Sequence, residues 1–329
     1  MYIEQPITVK GLQLANRLVL PPMNGHKATG EGHITEENLK YYDAMTRDGA
    51  FPLVIVEHCY IMPGGRASVD QISIADDSTL PGLKKLAELL HRNGCKAVVQ
   101  INHCGGRSNR AAAGEVVAPS LYKVDARDNV DRALEKEELP AIVEAFAAAA
   151  RRVKQLGFDG VEVHSAHGYL LNEFYSPFAN RRSDEYGGDI QGRTRLHREV
   201  LTAVRQAVGP DFPLFLRLGA LDYMEGGSTA EDAVAAAKLF EEWGVDLLDI
   251  SGGMGGYVRP GHTEAGFFGD AAAAIRKAVQ VPVILTGGVT ELAQGEKLLA
   301  DGLCDLVGVG RAMLKDPEWG KKQWQAFKG

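Results

Sequence analysis

What this chain lacks narrows its chemistry first. It has four cysteines in 329 residues (Cys59, Cys95, Cys104 and Cys304), and no two of them form a C-x-x-C pair. That spacing argues against zinc ribbons and cysteine-ligated clusters. Four scattered thiols are expected to be reduced, with Cys95 and Cys304 packed inside. Basic residues are not in excess: the net charge is −7, so neither nucleic acid nor an anionic membrane is an expected partner. No stretch reaches the roughly 18 consecutive apolar residues of a membrane span. The opening MYIEQPITVKG lacks the basic-then-apolar order of a signal peptide, which makes the cytoplasm the expected location. What remains, 45% hydrophobic and 24% charged residues, is the composition of an ordinary globular protein.

Short apolar runs recur along the whole length: Leu18–Leu20, Leu53–Val56, Ala97–Ile101, Val161–Val163, Leu214–Leu218, Leu247–Ile250, Val283–Leu285 and Leu306–Val309. Their apolar residues are consecutive rather than alternating, the mark of strands buried on both faces of a parallel sheet. Helical patterns separate them. Glu138–Leu156 is alanine-rich and amphipathic and stops at Gly157. Thr229–Trp243 opens on a threonine followed by two acids and stops at Gly244, and Leu80–Arg92 stops before Gly94. Eight strand–helix units without a linker favour an α/β fold of one domain over residues 1–329, a closed (β/α)8 TIM barrel, over an open sheet. Pro6–Leu14 reads as a short N-terminal hairpin that could plug the barrel's bottom.

The links after the first four strands are long, roughly Pro21–Ile34, Glu57–Thr79, Asn102–Glu137 and His164–Ile190. All leave the carboxyl end of a strand, so they crowd the face where barrel enzymes keep their chemistry. The seventh strand ends in Thr286-Gly287-Gly288-Val289 and the eighth in Gly308-Val309-Gly310-Arg311. Glycines there either make tight turns only or let backbone N–H groups approach a phosphate, with Arg311 adding a positive charge. Two such pairs at consecutive strand ends favour the phosphate. No G-x-G-x-x-G follows a strand, so a Rossmann-bound dinucleotide is not expected.

His164, His167 and Tyr169 follow the fourth strand at once. They suit three readings: metal ligands, satisfied structural residues, or donors to a developing oxyanion. A phenol, with its ordinary pKa near 10, can protonate a carbanion or enolate, and imidazole N–H groups can hold a carbonyl oxygen as it gains charge. No side chain here delivers hydride, so that last reading needs a redox cofactor, for which the phosphate site supplies an anchor.

The segment HSAHGYLLNEFYSPFANRRSDEYGGDIQGR, His164 to Arg193, closely resembles the signature of the Old Yellow Enzyme family of flavin-dependent NAD(P)H oxidoreductases. The likeness extends over nearly the whole chain. It implies non-covalent FMN in a (β/α)8 barrel, with NADH or NADPH as hydride donor and an activated alkene as the second substrate. Asn16–Met23 resembles the first-strand motif whose backbone (Pro21, Pro22, Met23) lies along the flavin. Gln100 resembles the glutamine at the pyrimidine edge, and Arg217 the arginine near N1 and the C2 carbonyl. Gly287, Gly288, Gly310 and Arg311 correspond to the FMN phosphate site. His164 and His167 resemble the substrate-binding pair and Tyr169 the proton donor. The resemblance implies two half-cycles at one site: NAD(P)H reduces the flavin, then hydride passes to the alkene β-carbon while Tyr169 protonates the α-carbon.

Three positions depart from the family pattern. Asn24 stands where cysteine or threonine tunes the flavin potential, His26 where a tyrosine occurs, and His58, counted with the cofactor-contacting positions, where a small residue is common. The chain also looks like the barrel portion of 2,4-dienoyl-CoA reductase-type relatives. It reaches Gly329 without their iron–sulfur cluster and extra domains, so electrons are expected directly from NAD(P)H. The terminal arginine with which some relatives complete a neighbour's site is absent from WQAFKG, and the sequence leaves a homo-oligomer open. Three rival readings stand beside the ene-reductase: a flavin-dependent dehydrogenase or demethylase, a flavin electron-relay (diaphorase) protein, and a metal-dependent barrel hydrolase.

Overall fold

Eight parallel strands close into a barrel in which each pairs with its neighbours in chain order, as seen in a computed structural model that describes residues 1–126 and 129–328. The barrel strands are β1 (Leu18–Leu20), β2 (Leu53–Tyr60), β3 (Lys96–Asn102), β4 (Gly160–Ser165), β5 (Leu214–Leu221), β6 (Leu247–Gly252), β7 (Val283–Thr286) and β8 (Leu306–Gly308). The main helices are α1 (Glu36–Thr46), α2 (Leu80–Arg92), α3 (Leu139–Gln155), α4 (Arg195–Val208), α5 (Ala230–Glu242), α6 (Gly269–Arg276), α7 (Leu292–Ala300) and α8 (Trp319–Lys328). Among the described residues, no helix is long and apolar enough to cross a membrane.

The local chemistry explains the helix ends. Thr229 caps α5 by accepting from the N–H of Asp232, whose carboxylate accepts from the N–H of Thr229 in return. Gly244 then takes the left-handed conformation that terminates it, with φ +90°. Helix α1 has no counterpart among the helical patterns above. Its buried face is Asn38, Tyr42, Met45 and Thr46, too polar to register as an apolar stripe.

Six strands run beyond their apolar cores at the carboxyl end. The added residues include Glu57 and His58 in β2, Asn102 in β3, His164 and Ser165 in β4, and Ser251 in β6. His58 and His164 face the mouth of the barrel, whereas Glu57 bonds Tyr42 of α1 and Ser165 bonds His197 of α4 on the helix side. The four cysteines are buried and free.

Strand parity sorts the interior into layers. At the bottom, Val19, Leu53, Ile55, Val98, Phe215, Leu247, Ile284 and Leu306 form one apolar cluster. The hairpin Ile7–Val9 with Leu12–Leu14 seals it by adding Val9, Leu12 and Leu14, which is the plug the sequence suggested. Fully burying one such side chain contributes about 1.5–3 kcal/mol. Two residues further along the strands the lining becomes polar, with Gln100, Glu162, Arg217, Asp249 and Thr286. Register sets their neighbours: Gln100 lies beside Glu162, and Arg217 lies between His164 and Asp249.

Candidate active site

The fourth strand ends in an aromatic cluster. The ring centroid of His164 lies 5.1 Å from those of both His167 and Tyr169, in edge-to-face contacts. His58 joins from β2, stacked on Tyr169 at 5.5 Å and 6.1 Å from His164. Tyr257, from the link after β6, meets the His167 ring edge-on at 6.0 Å. The backbone that presents this cluster is unusual. His167 and Gly168 are consecutive left-handed residues, at φ +64° and +71°. Three bonds hold them: His167 N–H donates to the Gly252 carbonyl, Arg107 donates to the His167 carbonyl, and Gly168 N–H donates to the Asn172 side chain. A Cβ on Gly168 would lie 2.6 Å from the Arg107 guanidinium carbon, so only glycine fits beneath that clamp.

Charge and tautomer follow from burial. His164 is held well below the ordinary histidine range, first by burial and then by repulsion from His167, Arg217 and His58, and is therefore neutral. Its Nδ1 is buried without a hydrogen-bond partner. His167 Nε2 lies 2.7 Å from the Ser251 hydroxyl. His58 is lowered to about 4 by burial and by the positive charges of His26 and Arg217. His164 and His58 are thus neutral imidazoles beside the Tyr169 phenol, with the Arg217 guanidinium in the layer below.

Beneath the cluster sits a small network of charge. Gln100 donates to Glu162 at 2.8 Å, and Arg217 approaches Asp249 at 3.1 Å. That approach lacks hydrogen-bond alignment, since Arg217 Nε and Asp249 Oδ2 both remain without partners by angle. Burial and mutual repulsion raise Glu162 well above the carboxylate range, and burial raises Asp249 too, against the pull of Arg217. Arg217 is only 4% exposed and makes no hydrogen bond to any described residue. A nearly buried guanidinium in that condition fits a ligand edge rich in acceptors above it.

The glycine pairs lie across the rim, since β8 faces β4 in a ring of eight. A Cβ on Gly288, at φ +71°, would meet the Glu264 carbonyl at 2.1 Å, and one on Gly310 would meet Met23 Sδ at 3.1 Å and Pro21 Cγ at 3.3 Å. Pro21, Pro22 and Met23 thus run directly against the β8 turn. Arg311 places its guanidinium 5.5 Å over the Phe267 ring, and as the first residue of the helix Arg311–Lys315 it follows N-cap Gly310. Such a start leaves N–H groups pointing outward. Asn24 is turned into its own loop, accepting from the N–H of His26. His26 is exposed and pairs with Asp70 at 3.0 Å, outside the histidine cluster.

Sequence reasoning missed Glu162, Asp249, Ser251 and Arg107. An acid inside the buried runs GVEV and LLDIS was the available signal. It also missed Glu57, which accepts from the N–H of Gly25 and the hydroxyl of Tyr42 behind the Pro21–Gly25 loop. Burial pushes Glu57 up to about 7. Because the folded value exceeds the ordinary 4.5, the folded protein keeps a proton that the unfolded chain releases. The associated stability is complete below pH 4.5 and is lost as pH rises through 7. Relative to Glu57→Gln, wild type should therefore lose about 3 kcal/mol of unfolding free energy between pH 4.5 and 8. Urea titrations of both apoproteins check this, and a pH-independent difference would contradict it.

Among the described residues, no three histidine, cysteine, aspartate or glutamate side chains converge as a metal-ligand set. Residues 3–327 match the NADH:flavin oxidoreductase / NADH oxidase family. The NADPH dehydrogenase of Geobacillus thermodenitrificans is 38% identical over 317 residues, covering 95% of this chain and 91% of that protein. The NADH oxidase of Thermoanaerobacter brockii is 37% identical over 321 residues, but the chain spans about half of that protein's length (49%) and 95% of its own. The solved Old Yellow Enzyme homologue from Zymomonas mobilis superposes with a TM-score of 0.85 at 25% identity, over 98% of this chain and 92% of that one. The chain belongs to the NADH:flavin oxidoreductase / NADH oxidase family, the FMN-dependent NAD(P)H oxidoreductases to which Old Yellow Enzyme homologues belong.

Proposed function

We infer that this FMN-dependent NAD(P)H oxidoreductase reduces C=C bonds conjugated to an electron-withdrawing group. The observation that carries the reading is the packing of a phenol against neutral imidazoles at the end of β4, above an unsatisfied buried guanidinium. FMN, when bound, supplies hydride exchange between the nicotinamide and the alkene. Gln100 and Arg217 would hold its ring, Pro21, Pro22, Met23 and Asn24 would line it, and Gly287, Gly288, Gly310 and Arg311 would hold its phosphate. His164 and His167 orient the substrate oxygen and stabilise charge developing on it. Tyr169 holds a proton for the α-carbon. Ser251 fixes the His167 ring, and Arg107 fixes the strained loop that carries both.

The chain acts as one FMN-binding barrel in the cytoplasm, taking electrons directly from NADH or NADPH. The purified protein should be yellow, release free FMN on denaturation, bleach with NADH or NADPH under anaerobic conditions, and regain colour with cyclohex-2-enone. Absence of bindable FMN would overturn the reading. Bleaching without reoxidation by any activated alkene would favour the electron-relay alternative.

A further inference from the structure

One feature of the mouth is unused by this reaction. Strand β2 pairs Val56 with Val99 and Cys59 with Ile101, so it carries one extra residue at Glu57–His58. A bulge of this kind re-aims side chains, and here it brings His58 over the barrel mouth onto Tyr169.

The hydrogen bonds around His58 fix its tautomer. Gln71, from the loop after β2, is fully buried, and its amide orientation is set by two backbone groups. Its oxygen accepts from the N–H of Ala67 at 2.7 Å, and its nitrogen donates to the His58 carbonyl at 3.0 Å. That same nitrogen is 3.0 Å from His58 Nδ1, and the Asn102 amide nitrogen is 3.2 Å from it. Nδ1 is therefore an acceptor, and the proton of the neutral ring resides on Nε2. Among the described residues, no protein group accepts from Nε2, and His58 keeps 8% of its surface accessible.

We propose that His58 Nε2–H is a third neutral donor at the alkene site, and that the preferred substrates are alkenes flanked by two uncharged acceptor groups, such as enediones and unsaturated imides. The inference rests on the ene-reductase reading. A single carbonyl oxygen has two lone pairs, which His164 and His167 fill. A further donor held in one tautomer by a buried glutamine has no acceptor in a substrate with one oxygen. His58 is itself uncharged, and Arg217, one layer lower, already faces Asp249 and Glu162, so the second group is a neutral carbonyl rather than a carboxylate.

The test is a selectivity ratio. kcat/KM for N-methylmaleimide is divided by kcat/KM for cyclohex-2-enone, in FMN-loaded wild type, His58→Ala and His58→Gln. Maleimide is not consumed by thiols here, because all four cysteines are buried. The ratio should fall about tenfold or more in His58→Ala and stay within about threefold in His58→Gln, which keeps an N–H donor. An unchanged ratio in His58→Ala, with both alkenes slowed alike, would reduce His58 to a packing partner of Tyr169 and overturn the proposal. Imidazole nitrogen NMR of the labelled protein gives an independent readout: Nε2 should be protonated, and the opposite tautomer would also overturn it. If wild type reduced neither alkene, the ene-reductase reading itself would fall, a result distinct from both.

Discussion

Tyr169→Phe should slow reoxidation by an alkene by about two to four orders of magnitude, the usual worth of a positioned proton donor. Bleaching by NADH or NADPH should stay within about threefold, because hydride transfer from a nicotinamide needs no proton from the phenol. The substitution is a clean one. The ring packs between His58 and His164 whether or not it carries a hydroxyl. The backbone is held separately, with Tyr169 N–H donating to Ala166 and its carbonyl accepting from Glu173. Stopped-flow measurement of each half-reaction, on protein that retains its yellow colour, decides the matter. Equal slowing of both halves would assign Tyr169 a structural role instead.

Arg217→Met should destabilise the apoprotein by about 3–5 kcal/mol at pH 7.5, the cost of leaving a buried partner uncompensated. Asp249 is fully buried and Glu162 lies within the same network, so methionine removes the one cation among the described residues that acts on them. Burial raises both acids above the ordinary carboxylate range, and this gives the prediction a second part. The loss should shrink toward pH 5 as they take up protons, and Arg217→Met with Asp249→Asn should be more stable than Arg217→Met alone. Chemical denaturation at two pH values measures both. A small, pH-independent loss would mean that the pair is not ionised in the folded protein.

The barrel was legible because its strands are buried on both faces, so runs such as Leu53–Val56 and Leu214–Leu218 stand out without any knowledge of pairing. The signature after β4 was legible for a similar reason: His164, His167 and Tyr169 are adjacent in sequence and share one strand end. The charge network was not, because Gln100, Glu162, Arg217 and Asp249 belong to four different strands and meet only through register. The bulge in β2 was equally hidden. Nothing in VIVEHCY announces an extra residue, and Gln71 acquires its role only when its loop folds back over His58. Helix α1 escaped because its buried face contains Asn38 and Thr46 rather than a stripe of aliphatics.

The N-terminal hairpin has a consequence for electrostatics at the opposite end. With Val9, Leu12 and Leu14 sealing the apolar floor, the carboxylates and guanidinium of the middle layer can be hydrated only from above. Any planar molecule settling in the mouth therefore acts as a stopper on the last route for water. It lowers the effective dielectric around Arg217, Asp249 and Glu162 at the moment it arrives, and every interaction it makes with them strengthens as a result. In this way a nine-residue β-turn unit at the start of the chain (Pro6–Leu14) sets how strongly the far rim can feel its ligand.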